Sequence, residues 1–165
     1  MAVTTIREEL KQTKPFGRKS EEAVVSLFRT AELLRRLIDS VIEQEGGITA
    51  QQYNVLRILR GAGEKGLPTL DIVDRLVEET PGITRLIDRL ETKSLVTRER
   101  CKTDRRQVFC RITRAGLTLL DKLDEPLANA QDAALASLKK KDLAQLLELL
   151  DRTRDGVHKL KENQS

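Results

Sequence analysis

The chain has 165 residues, of which 39% are hydrophobic and 34% charged; it carries a net charge of +4, three phenylalanines, one tyrosine and no tryptophan. That is the length of one domain with an appended oligomerisation region, and the composition suits long helices that bury leucine and isoleucine rather than rings. No apolar run reaches about 18 residues, so no membrane span is expected, and the opening MAVTTIREELKQTK lacks the apolar block of a signal peptide, so a cytoplasmic protein is expected.

Residues 1–17 have weak periodicity and end in Lys14-Pro15-Phe16-Gly17, which predicts an N-terminal arm, partly helical, closed by a break. A long helix follows over 20–45. Its apolar residues Val24, Leu27, Phe28, Ala31, Leu34, Ile38 and Val41 recur at three- and four-residue steps, and Gly46-Gly47 ends it. Such a helix spans roughly 39 Å, long for a small domain, which assigns 18–45 to a dimer interface. Thr49 and Gln52 make a capping box for a second helix, 50–60, with Tyr53, Leu56 and Leu59 on one face and Val55 beside it. Gly61, Gly63 and Gly66 make a loop. A third helix, 68–77, places Leu70, Val73, Leu76 and Val77 inward.

The three-residue linker Glu78-Glu79-Thr80 forces the next helix, 81–93, to cross steeply, which is a helix-turn-helix. Thr80 is the expected N-cap and Pro81 the first residue. Ile83, Leu86, Ile87 and Leu90 form the inward stripe; Gly82, Thr84, Arg85, Asp88 and Arg89 lie opposite. Strands 95–101 and 107–113 flank the tip Lys102-Thr103-Asp104-Arg105-Arg106. A hairpin with five cations from Arg98 to Arg106, directly after a steeply crossed helix, reads as a wing. Thr113 caps a fifth helix, 114–136, in which Pro126 should produce a kink. The sixth helix, 141–161, carries Leu143, Leu146, Leu147, Leu150, Val157 and Leu160. The region 115–165 has more apolar stripe than one small lobe at 48–114 can cover, so a dimer is expected.

Charge is local. Between Arg85 and Arg114 ten cations face four anions, a net +6, which leaves −2 for the rest of the chain. A concentrated cationic face suits a polyanion, here duplex DNA: the helix 81–93 takes the major groove and the wing the adjacent backbone or minor groove. No nucleophile–base pair, acidic metal cluster or phosphate-cradling glycine loop is visible, so neither an enzyme nor a cofactor is expected. Cys101 and Cys110 form no CxxC, and with the single His158 they make no convincing metal site. Two readings of the cysteines stay open: small, semi-buried residues in a reducing compartment, or a redox switch across the wing. A winged helix that serves protein–protein contact alone is the other alternative.

The stretch ITRLIDRLETKSLVTRERCKTDRRQVFCRITRAG, 83–116, resembles the MarR (multiple antibiotic resistance regulator) family. TRLIDRLE, the wing-tip Asp104-Arg105-Arg106 and the exit Ile112-Thr113-Arg114-Ala115-Gly116 carry the likeness; ITAQQYNVLRIL and GLPTLDIVDRL extend it upstream. The resemblance implies a mainly α, six-helix homodimer with a small antiparallel β-wing, binding a pseudo-palindromic operator. It implies repression relieved by a small phenolic or other anionic effector, or by cysteine oxidation. It places Thr84, Arg85 and Arg89 on the recognition surface and Arg106 in the minor groove, and makes Asp104 the residue that shapes the wing. Thr80, Gly82, Arg98 and Arg105 complete the expected DNA-binding set. Ser94 departs from the pattern, standing where the family usually has glycine.

Overall fold

The computed structural model describes residues 4–77, 82–100 and 108–163. It divides into two compact units, Met1–Ala130 and Gln131–Ser165. In the arm, one helical turn, α1 (Ile6–Glu9), is closed by a Thr5–Glu8 capping box. Arg29 pairs with Glu9 at 2.6 Å and holds it to the long helix α2 (Lys19–Gly46). Gly47 then turns left-handed, φ 61°, and its amide donates to the Glu43 carbonyl, a glycine C-cap. The Thr49–Gln52 box forms as expected: the Gln52 amide donates to Thr49 Oγ1 at 3.3 Å, and the Thr49 amide to Gln52 Oε1 at 3.1 Å. It opens α3 (Ala50–Ala62), whose Val55, Leu56 and Leu59 are fully buried while Tyr53 stays half-buried.

The sheet has three strands rather than the two of a hairpin. β1 (Leu67–Pro68) precedes α4 (Thr69–Val73), and β2 (Val96–Arg100) and β3 (Val108–Ile112) follow α5 (Ile83–Thr92). The order is β1-β3-β2, all antiparallel, with Leu67 opposite Cys110 and Val96 opposite Ile112. β1 packs so closely that a Cβ on Gly66 would stand 2.3 Å from the Cys110 carbonyl oxygen, and Gly66 also has φ +63°. Pro68, which has no amide to donate, sits on this edge strand, where that costs least. α4 is shorter than the expected 68–77, because Arg75 and Leu76 donate to Ile72 and Val73 in tight three-residue turns that end it. α5 begins at Ile83 after a left-handed Gly82, φ 82°. The expected cap Thr80 and first-turn Pro81 lie outside the described residues.

Ser94 takes the left-handed conformation, φ 58°. It ends α5 in a Schellman turn: the Leu95 amide donates to the Leu90 carbonyl at 2.9 Å and the Ser94 amide to Glu91 at 2.8 Å. Thr113 Oγ1 donates to the Ser94 carbonyl at 2.7 Å and accepts the Gly116 amide at 3.1 Å, so one hydroxyl joins the end of α5 to the start of α6 (Arg114–Leu135). Gly116 is required there, since a Cβ would meet the Leu95 carbonyl oxygen at 2.5 Å. α6 runs on through Pro126 as one helix. Its Leu120, Leu123 and Leu127 join Ile42, Val55, Leu56, Leu59, Ile72, Ile87 and Leu90 in a single core. The second unit holds α7 (Lys140–Glu162), which buries no residue.

Candidate nucleic-acid interface

The recognition-type helix α5 turns Leu86, Ile87 and Leu90 into the core, with Leu90 fully buried. At about 100° per residue, that points Arg85 and Asp88 outward, with Thr84 and Glu91 on one flank and Arg89 on the other. Thr84, Arg85 and Arg89 are exposed. At Gly82 an added Cβ would meet nothing within 4 Å, so glycine serves the backbone conformation there, not the space.

The described cations sort into two classes that a count of charges merges. Arg85, Arg89, Arg100 and Arg114 form no ion pair among the described residues. Arg98, Arg111 and Lys93 are engaged within the protein. Arg111 donates to the Glu64 carbonyl at 3.0 Å and pairs with Glu99 at 2.7 Å, which fastens β3 to its neighbours. Lys93 Nζ reaches the Gly47 carbonyl at 2.8 Å and so caps the C-terminal end of α2. Arg98 pairs with Asp88 at 2.7 Å, and its Nε donates to Glu91 at 2.8 Å. The Arg98 hydrogen bond is the main reason that the Glu91 carboxyl is held below its ordinary range and the Arg98 guanidinium above its own.

Asp104, Arg105 and Arg106 of the expected wing tip lie outside the described residues, as do Cys101 and Thr80. Cys110 is fully buried, its Sγ 3.8 Å from Thr69 Oγ1, and desolvation raises its pKa. In the strand register it stands opposite Arg98.

The MarR family model matches residues 48–108, the segment from the start of α3 to the start of β3. Over 106 residues, 64% of this chain and 72% of that protein, the sequence is 30% identical to the HTH-type transcriptional regulator MhqR of Bacillus subtilis (strain 168). The chain belongs to the MarR family. A solved structure agrees with the membership, and a second shares the fold. A MarR transcription factor from Planctomyces limnophilus is 38% identical with a TM-score of 0.64, covering 83% of this chain and 98% of that one. Sco3205, a MarR-family regulator from Streptomyces coelicolor solved in complex with DNA, has a TM-score of 0.74 at 22% identity, covering 88% of this chain and 92% of that one, a likeness of fold alone.

As a MarR-family transcriptional regulator, the chain has a helix-turn-helix in α4–α5 and a wing in β2–β3. No helix among the described residues is long and apolar enough to cross a membrane. An open groove of about 390 Å³ lies between the end of α2 and the start of α3, lined by Asp39, Glu43, Thr49, Gln52 and Lys93. Its lining is mixed, with Ile48 and Ala50 beside the polar residues and no aromatic side chain among them.

Sequence reasoning missed β1 and the internal partners of Lys93, Arg98 and Arg111. Gly66-Leu67-Pro68 held a signal for the strand, a glycine where two backbones meet. Nothing in the spacing of Lys93 and Gly47 announces their contact.

Proposed function

We propose that this chain is a homodimeric, sequence-specific repressor of transcription that binds duplex DNA through α5 and the wing and is released by a small-molecule effector. The observation that carries the reading is the pair Arg85 and Arg89, exposed on the outer face of α5 with no ion-pair partner among the described residues. Cations without an internal partner are ready to neutralise phosphate and release its counterions. Gly82 and Thr84 keep the N-terminal end of the helix small enough to approach base edges. By family resemblance Arg106 enters the minor groove and Asp104 shapes the wing around it; Thr80 and Arg105 complete the DNA-binding set. Two copies would set their recognition helices about 34 Å apart, in successive major grooves. The Streptomyces coelicolor neighbour of similar fold is solved in complex with DNA. A regulator of this kind acts in the cytoplasm and needs no catalytic group. Its effector has room in the groove beside Lys93.

A mobility-shift titration against genomic fragments tests the reading. Arg85→Ala and Arg106→Ala should each weaken binding by about 1–3 kcal/mol with little change in melting temperature. A wild-type protein that shifts no fragment leaves the protein-interaction alternative in place. The redox alternative finds little support at Cys110, a buried thiol with a raised pKa. Peroxide should leave DNA affinity unchanged, and a thiol reagent should label Cys110 only after unfolding.

A further inference from the structure

Two carboxylates sit on the helix that is to meet a polyanion. Asp88 lies on the outward face of α5 and Glu91 one turn further along on the flank; both side chains retain solvent access, 48% and 38% exposed. Left alone, each would repel the DNA backbone at close range and counteract Arg85 and Arg89. Arg98, on the neighbouring strand β2, meets both. One terminal nitrogen pairs with Asp88 at 2.7 Å, and Nε and the other terminal nitrogen both donate to the same Glu91 oxygen. The guanidinium fork suits this task, since its planar donors can satisfy two carboxylates at once where a lysine's single ammonium cannot span them. Contacts to Asp88 and Glu91 also join the base of the wing to the recognition helix, two elements otherwise connected here by the Ser94 turn.

Resting on the DNA-binding reading above, we propose that Arg98 is a positioning residue and not a phosphate contact: it shares its single charge between Asp88 and Glu91, halving their negative charge, and braces β2 against α5. This reassigns a residue that its charge and its place in the wing put among the DNA contacts. Unlike Arg85 and Arg89, Arg98 has its charge matched inside the protein, and neither carboxylate can be left unmatched without adding negative charge to the reading face.

The distinction is measurable with duplexes selected by the wild-type protein from a random-sequence pool, with circular dichroism to confirm that each variant is folded. In Arg98→Gln, affinity should fall roughly tenfold across the salt range, since two carboxylates beside the polyanion lose their counter-charge. The slope of log affinity against log salt should stay at the wild-type value. Adding Asp88→Asn and Glu91→Gln to Arg98→Gln should restore affinity. A slope reduced by about 0.9, the share of one phosphate contact, with no restoration in the triple variant, overturns the proposal. Arg98→Lys, which keeps the charge but not the fork, should fall between wild type and Arg98→Gln; wild-type affinity in the lysine variant also overturns it. A wild-type protein that selects no duplex at all overturns the DNA-binding reading itself, and this assignment with it, an outcome distinct from either failure of Arg98 alone.

Discussion

The lobe from α3 to the first half of α6 and the long helix α2 are built from similar apolar residues and treat them in opposite ways. In the lobe Leu56, Leu59, Ile87, Leu90 and Leu120 are shut away from water. Along α2 only Ile42, near its C-terminal end, is fully buried, while Val24, Leu27, Phe28, Leu33, Leu34 and Leu37 remain exposed, Phe28 by 72%. α7 does the same with Leu147, Val157 and Leu160. One region completes its own core; the others keep an apolar stripe that a single chain leaves wet. Stripes of this size on a soluble protein mark association surfaces, which is the physical support for the proposed homodimer.

The sharpest way to break the contrast is to put charge on the exposed stripe. Replacing Val24 and Phe28, one turn apart on α2, by glutamate should convert the dimer to monomer in sedimentation equilibrium. An unaltered chain that already sediments as a monomer removes the argument. Next in size comes the lobe. Leu56→Ala should cost about 2–5 kcal/mol in denaturant unfolding, as cavities in closed cores do. A loss well under 1 kcal/mol there would mean that the lobe is not packed as described.

Smaller effects separate turn chemistry from packing. Ser94→Gly should stabilise the lobe by about 1 kcal/mol, since glycine takes the left-handed conformation without the Cβ penalty; an unchanged or lower melting temperature contradicts it. The smallest change is a matter of pH. The folded pKa of Glu91 is depressed below its ordinary 4.5, so its contribution is present above that value and fades as pH falls through the lower, folded one. Glu91→Gln should therefore lower stability slightly in the neutral region, flatten the acid limb of the stability profile and converge with wild type at low pH.

Much of this architecture was legible in local signals. The Thr49–Gln52 box, the Gly47 stop and the stripe of α5 each depend on neighbours within a turn, and each stands where the periodicity and turn chemistry put it. Contacts between segments were not legible. β1 is two residues long and exists because its backbone meets β3 across some forty residues of sequence. Arg98 looked like its neighbours in the wing, because a count of charges cannot see that Asp88 and Glu91 lie within its reach. The helix α4 came out shorter than its apolar pattern, which continues through Leu76 after the backbone has already tightened into turns.

The Thr113 hydroxyl has a mechanical consequence. It holds the Ser94 carbonyl and the Gly116 amide together, while Gly116 lets the backbone of α6 lie against Leu95. The end of the reading helix, the root of the wing and the start of α6 thus share one fulcrum. None of the three can tilt without dragging the others, so the reading head swings as a single piece. Gly47, the left-handed joint between α2 and this head, is tied to it by Lys93, whose Nζ meets the Gly47 carbonyl at 2.8 Å. In the proposed homodimer, a signal that releases DNA would therefore act on the span between the two heads.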